Sequence, residues 1–335
     1  MINSSTTTLH QRLFTLDSHV DIPWPAAEDP SNETSRCLDL PKMREGGLDA
    51  VCLAAYIPQG RLSDEGFESA LTRAIAMLET IDHIGRKQDA RLTPSVAAIQ
   101  AAAEKHLPAI IPVVENGHAI GTDLANIARF RALGARYITL THNGHNALAD
   151  SAVPRRDLGD DLIKYGGLSD LGRAAIAEMN RLGVVVDVSH TSRATMLAAA
   201  AASSYPVVAS HSCVRALCDH PRNLDDTQLD ALAATGGVVQ ITAVPFFVKR
   251  GGSLQNTSIS HFCDHIDHVV RRIGIHHVGI GSDFDGGGEL ADWRHVGQNP
   301  NVTAALIERG YDEDALMAIW GGNFMRVLGQ AEVKR

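Results

Sequence analysis

The segment Asp17-Ser18-His19-Val20-Asp21, inside LFTLDSHVDIP, carries two side chains that could hold one cation. In an extended chain His19 and Asp21 share a face with their α-carbons ~6.6 Å apart, close enough to bind a single metal ion. Leu13, Phe14 and Leu16 lead into the segment and Pro23 and Pro25 close it, as at the end of a strand. Alone, the motif reads more simply as a polar strand end with one histidine in a turn, because short motifs are weak signals. Its weight comes from similar groups further along: Glu115 in AIIPVVEN, His142 in YITLTHN, His190 in VVVDVSH, His211 in PVVASHS and Asp283 in HVGIGSDFDG.

Each of these groups sits in a run with the look of a buried strand. After the first come 49–57, 109–116, 137–143, 184–190, 206–212, 237–244 and 277–286. Helical stretches alternate with them. Residues 66–85 place Leu71, Ile75, Leu78 and Ile81 on one stripe, an Ala-rich helix begins near Pro94, and 123–133 stops at Gly134. Another helix starts at Ser169 or Asp170 and ends at Gly183, and a second Ala-rich one starts at Thr191 or Ser192. Near-continuous Val/Ile runs separated by helices predict a parallel sheet covered on both faces, and eight units predict a (β/α)8 TIM-type barrel. No linker or low-complexity tract divides residues 1–335, so one barrel domain is expected, with long loops at about 22–48, 144–167 and 245–258.

Barrel enzymes place their chemistry at the C-terminal ends of the strands. His19, Asp21, Glu115, His142, His190, His211 and Asp283 would therefore meet at one rim, where buried charge is costly unless paired or bound to metal. The donor types suit zinc or a related divalent ion, and their number suits two cations sharing a carboxylate. No lysine stands at these strand ends, which leaves Glu115 as the bridge by elimination. A single histidine such as His190 is ordinarily a hydrogen-bonded core residue; recurrence after consecutive strands argues otherwise. Asp283 could be a turn residue or a general acid/base beside the metals, and Asp285 is expected in a turn. His261, His265 and His268 share a helix face before the last strand, away from the rim, and are expected to be packed or solvated. His145, His220, His276, His277 and His295 are given the same reading, and His118 is a candidate support near the site. Asp17 could orient a ligand or cap a turn.

With 44% hydrophobic and 21% charged residues, the chain can bury a large core. A net charge of −9 argues against nucleic acid or an anionic membrane as partner. The N-terminus lacks a basic segment followed by an apolar one, and no stretch approaches 18 consecutive apolar residues, so a cytoplasmic protein without an anchor is expected. Five scattered cysteines with no CxxC pair suit reduced thiols.

The segments DSHVDIPW, DLPKMREGGLDA, VVENG, YITLTHN, GLSDLGRAAIAEMNRLGVVVDVSHTS, ASHS, HPRNLDD, HVGIGSDFDG and WGGNFMRVL together resemble the membrane (renal) dipeptidase family of zinc peptidases. The resemblance implies that His19, Asp21 and Glu115 bind one zinc and that Glu115, His190 and His211 bind the other. It implies proton handling by Asp283, contact of His142 with the scissile carbonyl or tetrahedral intermediate, and substrate held by Arg222 with Asn223. On this reading a hydroxide between two metals hydrolyses a small dipeptide, in some cases with a C-terminal D-residue, and a homodimer is a family-level expectation. The second strand, CLAAYIP, keeps Tyr56 as the only aromatic of a region more aromatic in mammalian members, and AVPFFVKRGGSLQNTS is also individual; both would border the substrate. The alternatives are a binuclear amidohydrolase or biosynthetic tailoring enzyme acting on a non-dipeptide amide, and a non-catalytic metal-binding protein. The last would be expected to substitute Asp283, His142 or Arg222, and all three are intact.

Overall fold

The computed structural model describes residues 4–22, 24, 25, 28–87 and 89–332; Pro23, which closes the first strand in the sequence, lies outside them. Nine strands follow in chain order: β1 (Leu16–Asp21), β2 (Ala50–Tyr56), β3 (Arg91–Leu92), β4 (Ala109–Glu115), β5 (Tyr137–Thr139), β6 (Val185–Asp187), β7 (Val208–Ser212), β8 (Val238–Ile241) and β9 (Val278–Ile280). Eight of them run β1-β2-β4-β5-β6-β7-β8-β9, every pairing parallel, while the two-residue β3 leans on β4. Just beyond β9 the chain returns to β1. Val20 bridges to Phe284, the Asp283 amide donates to the His19 carbonyl at 3.0 Å and the Asp21 amide to the Phe284 carbonyl at 3.1 Å. The result is the nearly closed (β/α)8 barrel that the alternating pattern predicts.

Strand alternation divides the core into two layers. On β2, Val51, Leu53 and Ala55 join the cluster packed against the surrounding helices, whereas Ala50, Cys52 and Ala54 join a second cluster with Leu16, Ile111, Tyr137 and Val208. Phe324, Val327 and Leu328 of the C-terminal helix Asn323–Glu332 belong to that second cluster. Side-chain caps fix where the helices begin: Ser169 accepts from the Gly172 amide and Ser192 from the Thr195 amide, and Gly183 ends its helix at φ 67°. No described helix is long and apolar enough to cross a membrane.

Three strands are shorter than their apolar runs. β5, β6 and β9 each stop three residues before His142, His190 and Asp283, so these side chains project from turns beyond the ladder. The backbone explains two of the three: His190 and Asp283 adopt φ 66° and 62°, which strand pairing does not allow. A non-glycine residue in that region is held there by its surroundings, a feature concentrated at functional sites.

The long loops are tied to the rim. In 22–48, the helix Leu40–Glu45 is capped by Asp39, and Arg36 donates to the Asp21 carbonyl at 2.6 Å while pairing with Asp285 at 3.1 Å. Asp285 also accepts the Cys37 and Leu38 amides at 2.9 and 3.2 Å, so it is a clamp on this loop as well as a turn residue. In 144–167, the Asp150 carboxylate accepts the amides of Lys164, Tyr165, Gly166 and Gly167.

Candidate metal centre and its cavity

Glu115, the last residue of β4, presents its two oxygens to two different groups. Oε2 lies 3.7 Å from His19 Nε2, which is itself 3.7 Å from Asp21 Oδ1. Oε1 lies 3.0 Å from His190 Nε2 and 3.4 Å from His211 Nε2, and these two nitrogens are 2.8 Å apart. His142 Nε2 stands at 3.9 Å from Oε1, on the outer side. The five side chains assigned as ligands by resemblance thus converge, with the carboxylate divided between the two halves. Taken by proximity of donors alone, the groups are His19–Glu115–His211 and Glu115–His142–His190, which moves His211 to the His19 side and brings His142 into the second cluster. The 3.0 Å and 3.4 Å approaches favour His190 with His211 as the inner pair.

The surrounding hydrogen bonds commit each Nδ1 and leave Nε2 as the inward-facing nitrogen. Tyr137 donates its hydroxyl hydrogen to the Ser18 carbonyl at 2.9 Å, so at 2.7 Å it must accept from His19 Nδ1. Ser210 Oγ donates to Asp187 at 2.7 Å and so accepts from His211 Nδ1 at 2.9 Å, while His190 Nδ1 donates to Asn143 Oδ1 at 3.2 Å. The Nε2 of each ring is therefore turned inward, the tautomer a metal requires. His19 Nε2 and Asp21 Oδ1 are buried without a hydrogen-bond partner among the described residues. Burial favours a neutral His19, yet Glu115, Asp283 and Asp21 push its pKa up to about 10, and burial with Glu115 beside it drives Asp21 well up. Carboxylates and imidazoles facing one point fit a divalent cation there, and the donor set, one carboxylate between two clusters, fits a pair.

A cavity of about 350 Å³ opens onto this centre. Asp283 lines it, and burial together with Glu115 raises its pKa to about 7, against the lowering effects of His19 and Arg222. A β-carbon on Gly286 would fall 2.3 Å from Asp283 Oδ1, so the turn after Asp283 has room only for glycine. His142, with its pKa pushed down to about 4 by burial, reaches the cavity as a neutral ring, and Tyr56 packs against it with centroids 4.8 Å apart. Arg222 is buried, donates to the His211 carbonyl at 3.2 Å and leaves Nε without a hydrogen-bond partner among the described residues. Burial lowers its pKa to about 10, so it remains a cation facing the cavity.

Asn223, expected at the substrate, keeps its Oδ1 without a hydrogen-bond partner among the described residues. Its amide donates to the carbonyls of Cys218 and Phe247, both at 2.8 Å, and the side chain is not part of the cavity wall. Several of the histidines set aside in the sequence have structural partners. His265 is buried between the Val214 amide and the Val248 carbonyl, His261 caps its helix at Ser258, His268 meets Asp226, and His145 accepts the Ser151 amide. Asp17 accepts the amides of His19 and Ser282, so it fixes the backbone of a candidate ligand rather than its ring. Asp187, passed over in the sequence, repeats the device with the amides of Ser189 and Ser210 and adds the link to His211. Its signal was visible: one carboxylate inside the otherwise apolar VVVDV.

A (β/α)8 barrel carrying a shared carboxylate among histidines at its C-terminal rim defines a metal-dependent hydrolase. Over residues 4–335 the chain belongs to the membrane dipeptidase family, peptidase family M19. Dipeptidase aclJ of Aspergillus oryzae is 35% identical over 305 residues, which cover 88% of this chain and 70% of that protein. Among solved structures, the probable dipeptidase PvdM of Pseudomonas aeruginosa superposes with a TM-score of 0.91 at 27% identity, covering 98% of each chain. A metallo peptidase of Rhodobacter sphaeroides, solved with a phosphinate mimic of the dipeptide L-Ala-D-Ala, gives 0.86 at 26% identity over 95% of this chain and 99% of that one. The family makes this chain a metallo-dipeptidase-type hydrolase.

Proposed function

We propose that this protein hydrolyses small dipeptides at a two-zinc centre, with His19, Asp21 and Glu115 holding one ion and Glu115, His190 and His211 the other. The division of Glu115 Oε2 and Oε1 between the two histidine groups carries the reading. Bound there, the ions would lower the pKa of water toward neutrality and polarise the peptide carbonyl. Arg222, a buried guanidinium with no carboxylate partner among the described residues, pairs with the substrate's C-terminal carboxylate and so selects short peptides. Asp283, poised near pH 7, takes the proton of the attacking water at its carboxylate and returns it to the departing amine as the C–N bond breaks. His142, neutral at that pH, donates a ring N–H to the developing oxyanion, and Tyr56 holds the ring from the side.

The test is a metal-loaded screen of L,L and L,D dipeptides beside cyclic amides and N-acyl amino acids. Turnover of dipeptides, including some with a C-terminal D-residue, is expected; turnover of only the other amides would replace this reading by that of a tailoring amidohydrolase. Asp283→Asn should keep its metal and lose activity by roughly 100-fold or more.

A further inference from the structure

The sequence after β8, Ala243-Val244-Pro245-Phe246-Phe247-Val248, is taken up neither by the metal centre nor by the proton steps. It forms one helical turn, Pro245–Val248, at the cavity wall. Phe247 is buried, with the Arg222 guanidinium carbon 5.3 Å from its ring centre. Phe246 packs edge-on against Phe247 with centroids 4.6 Å apart, yet 53% of it is exposed, and it lines the cavity. The turn is held from behind at three successive carbonyls. Cys218 Sγ donates to Phe246 O at 3.4 Å, Asn223 Nδ2 to Phe247 O at 2.8 Å and His265 Nε2 to Val248 O at 2.8 Å. A helix end leaves such carbonyls without internal partners; here each is taken by a side chain, two from the segment 218–223 and one from the helix Ile259–Ile273, so the exposed ring is presented in a fixed place.

We infer that Phe246, backed by Phe247, is the specificity surface for the side chain of the substrate's C-terminal residue and selects a large apolar one. The inference rests on the dipeptidase reading, because it places that residue's carboxylate on Arg222. The α-carbon bonded to a carboxylate at Arg222 carries its side chain beside the aromatic pair, since Phe247 lies under the same guanidinium. An apolar side chain there covers a ring otherwise left in water, whereas glycine covers nothing.

The experiment compares kcat/KM for Ala-X dipeptides with X glycine, alanine, leucine or phenylalanine, in both configurations, on the metal-loaded full chain. The wild type should favour leucine or phenylalanine over glycine by roughly 10-fold or more, the usual discrimination of an apolar pocket. Phe246→Ala should shrink that ratio to about 2-fold at unchanged metal content, and Phe246→Leu should restore most of it. A flat wild-type profile, or an equal loss on every peptide in Phe246→Ala, would overturn the inference while leaving the dipeptidase reading standing. Hydrolysis of no dipeptide at all would overturn the reading first and the inference with it.

Discussion

His19 shows how much of a site can hang on one hydroxyl. Its Nε2 faces Asp21 and Glu115 because Nδ1 is committed to Tyr137, whose own hydrogen is committed to the Ser18 carbonyl. Tyr137→Phe removes the acceptor but keeps the ring in the core, and metal affinity measured by chelator competition should fall by roughly 10- to 100-fold. Ser210→Ala should do the same through His211, since Ser210 is the link to Asp187. Unchanged affinity in both variants would mean that the protein does not use these relays to set the rings. The candidate ligands themselves were legible in the sequence because each ends a strand-like run in an otherwise apolar setting. Tyr137, Ser210 and Asn143 were not, because a hydrogen bond to a ring nitrogen 118, 1 or 47 positions away leaves no periodic trace.

At the level of elements, the chain's apolar runs overstate its strands. The runs at 137–143, 184–190 and 277–286 stay buried past the point where the ladder ends, and hydrophobicity reports burial, not pairing. Two carboxylates, Asp17 and Asp187, take over the amides that the ladder abandons. The long loops are ordered by the same means. Asp150 gathers four successive amides of 164–167, so Asp150→Ala should speed hydrogen exchange there markedly and lower stability by about 1–3 kcal/mol, while exchange in β2 and β4 stays slow. Unaltered protection at 164–167 would assign the order of this loop to something other than that carboxylate. The sequence marked 144–167 as a long polar loop and left its hub unread, because an aspartate in a loop ordinarily faces solvent or caps its own turn.

For the whole molecule, the barrel was the most legible feature, since eight alternations of buried strand and amphipathic helix admit few other folds. Folding also buries histidines outside the candidate ligand set. Burial pushes His118 and His265 down to about 4 from an ordinary value of 6.5, so the folded protein keeps them neutral where the unfolded chain would take up a proton. Their contribution is present in full above pH 6.5 and is lost as the pH falls toward 4, because across that window the unfolded state binds more protons. The melting temperature should be level from pH 7 to 8 and drop by ~5 °C or more between pH 6.5 and 4.5. A melting temperature constant down to pH 4.5 would contradict neutral burial of these rings.

The most direct measurement of the central claim is anomalous diffraction at the zinc edge from crystals of the zinc-loaded protein. Two peaks are expected, each ~2.0–2.2 Å from its ligands: one against His19, Asp21 and Glu115 Oε2, the other against Glu115 Oε1, His190 and His211. A single peak, or a second ion bound by His142 in place of His211, would contradict the account.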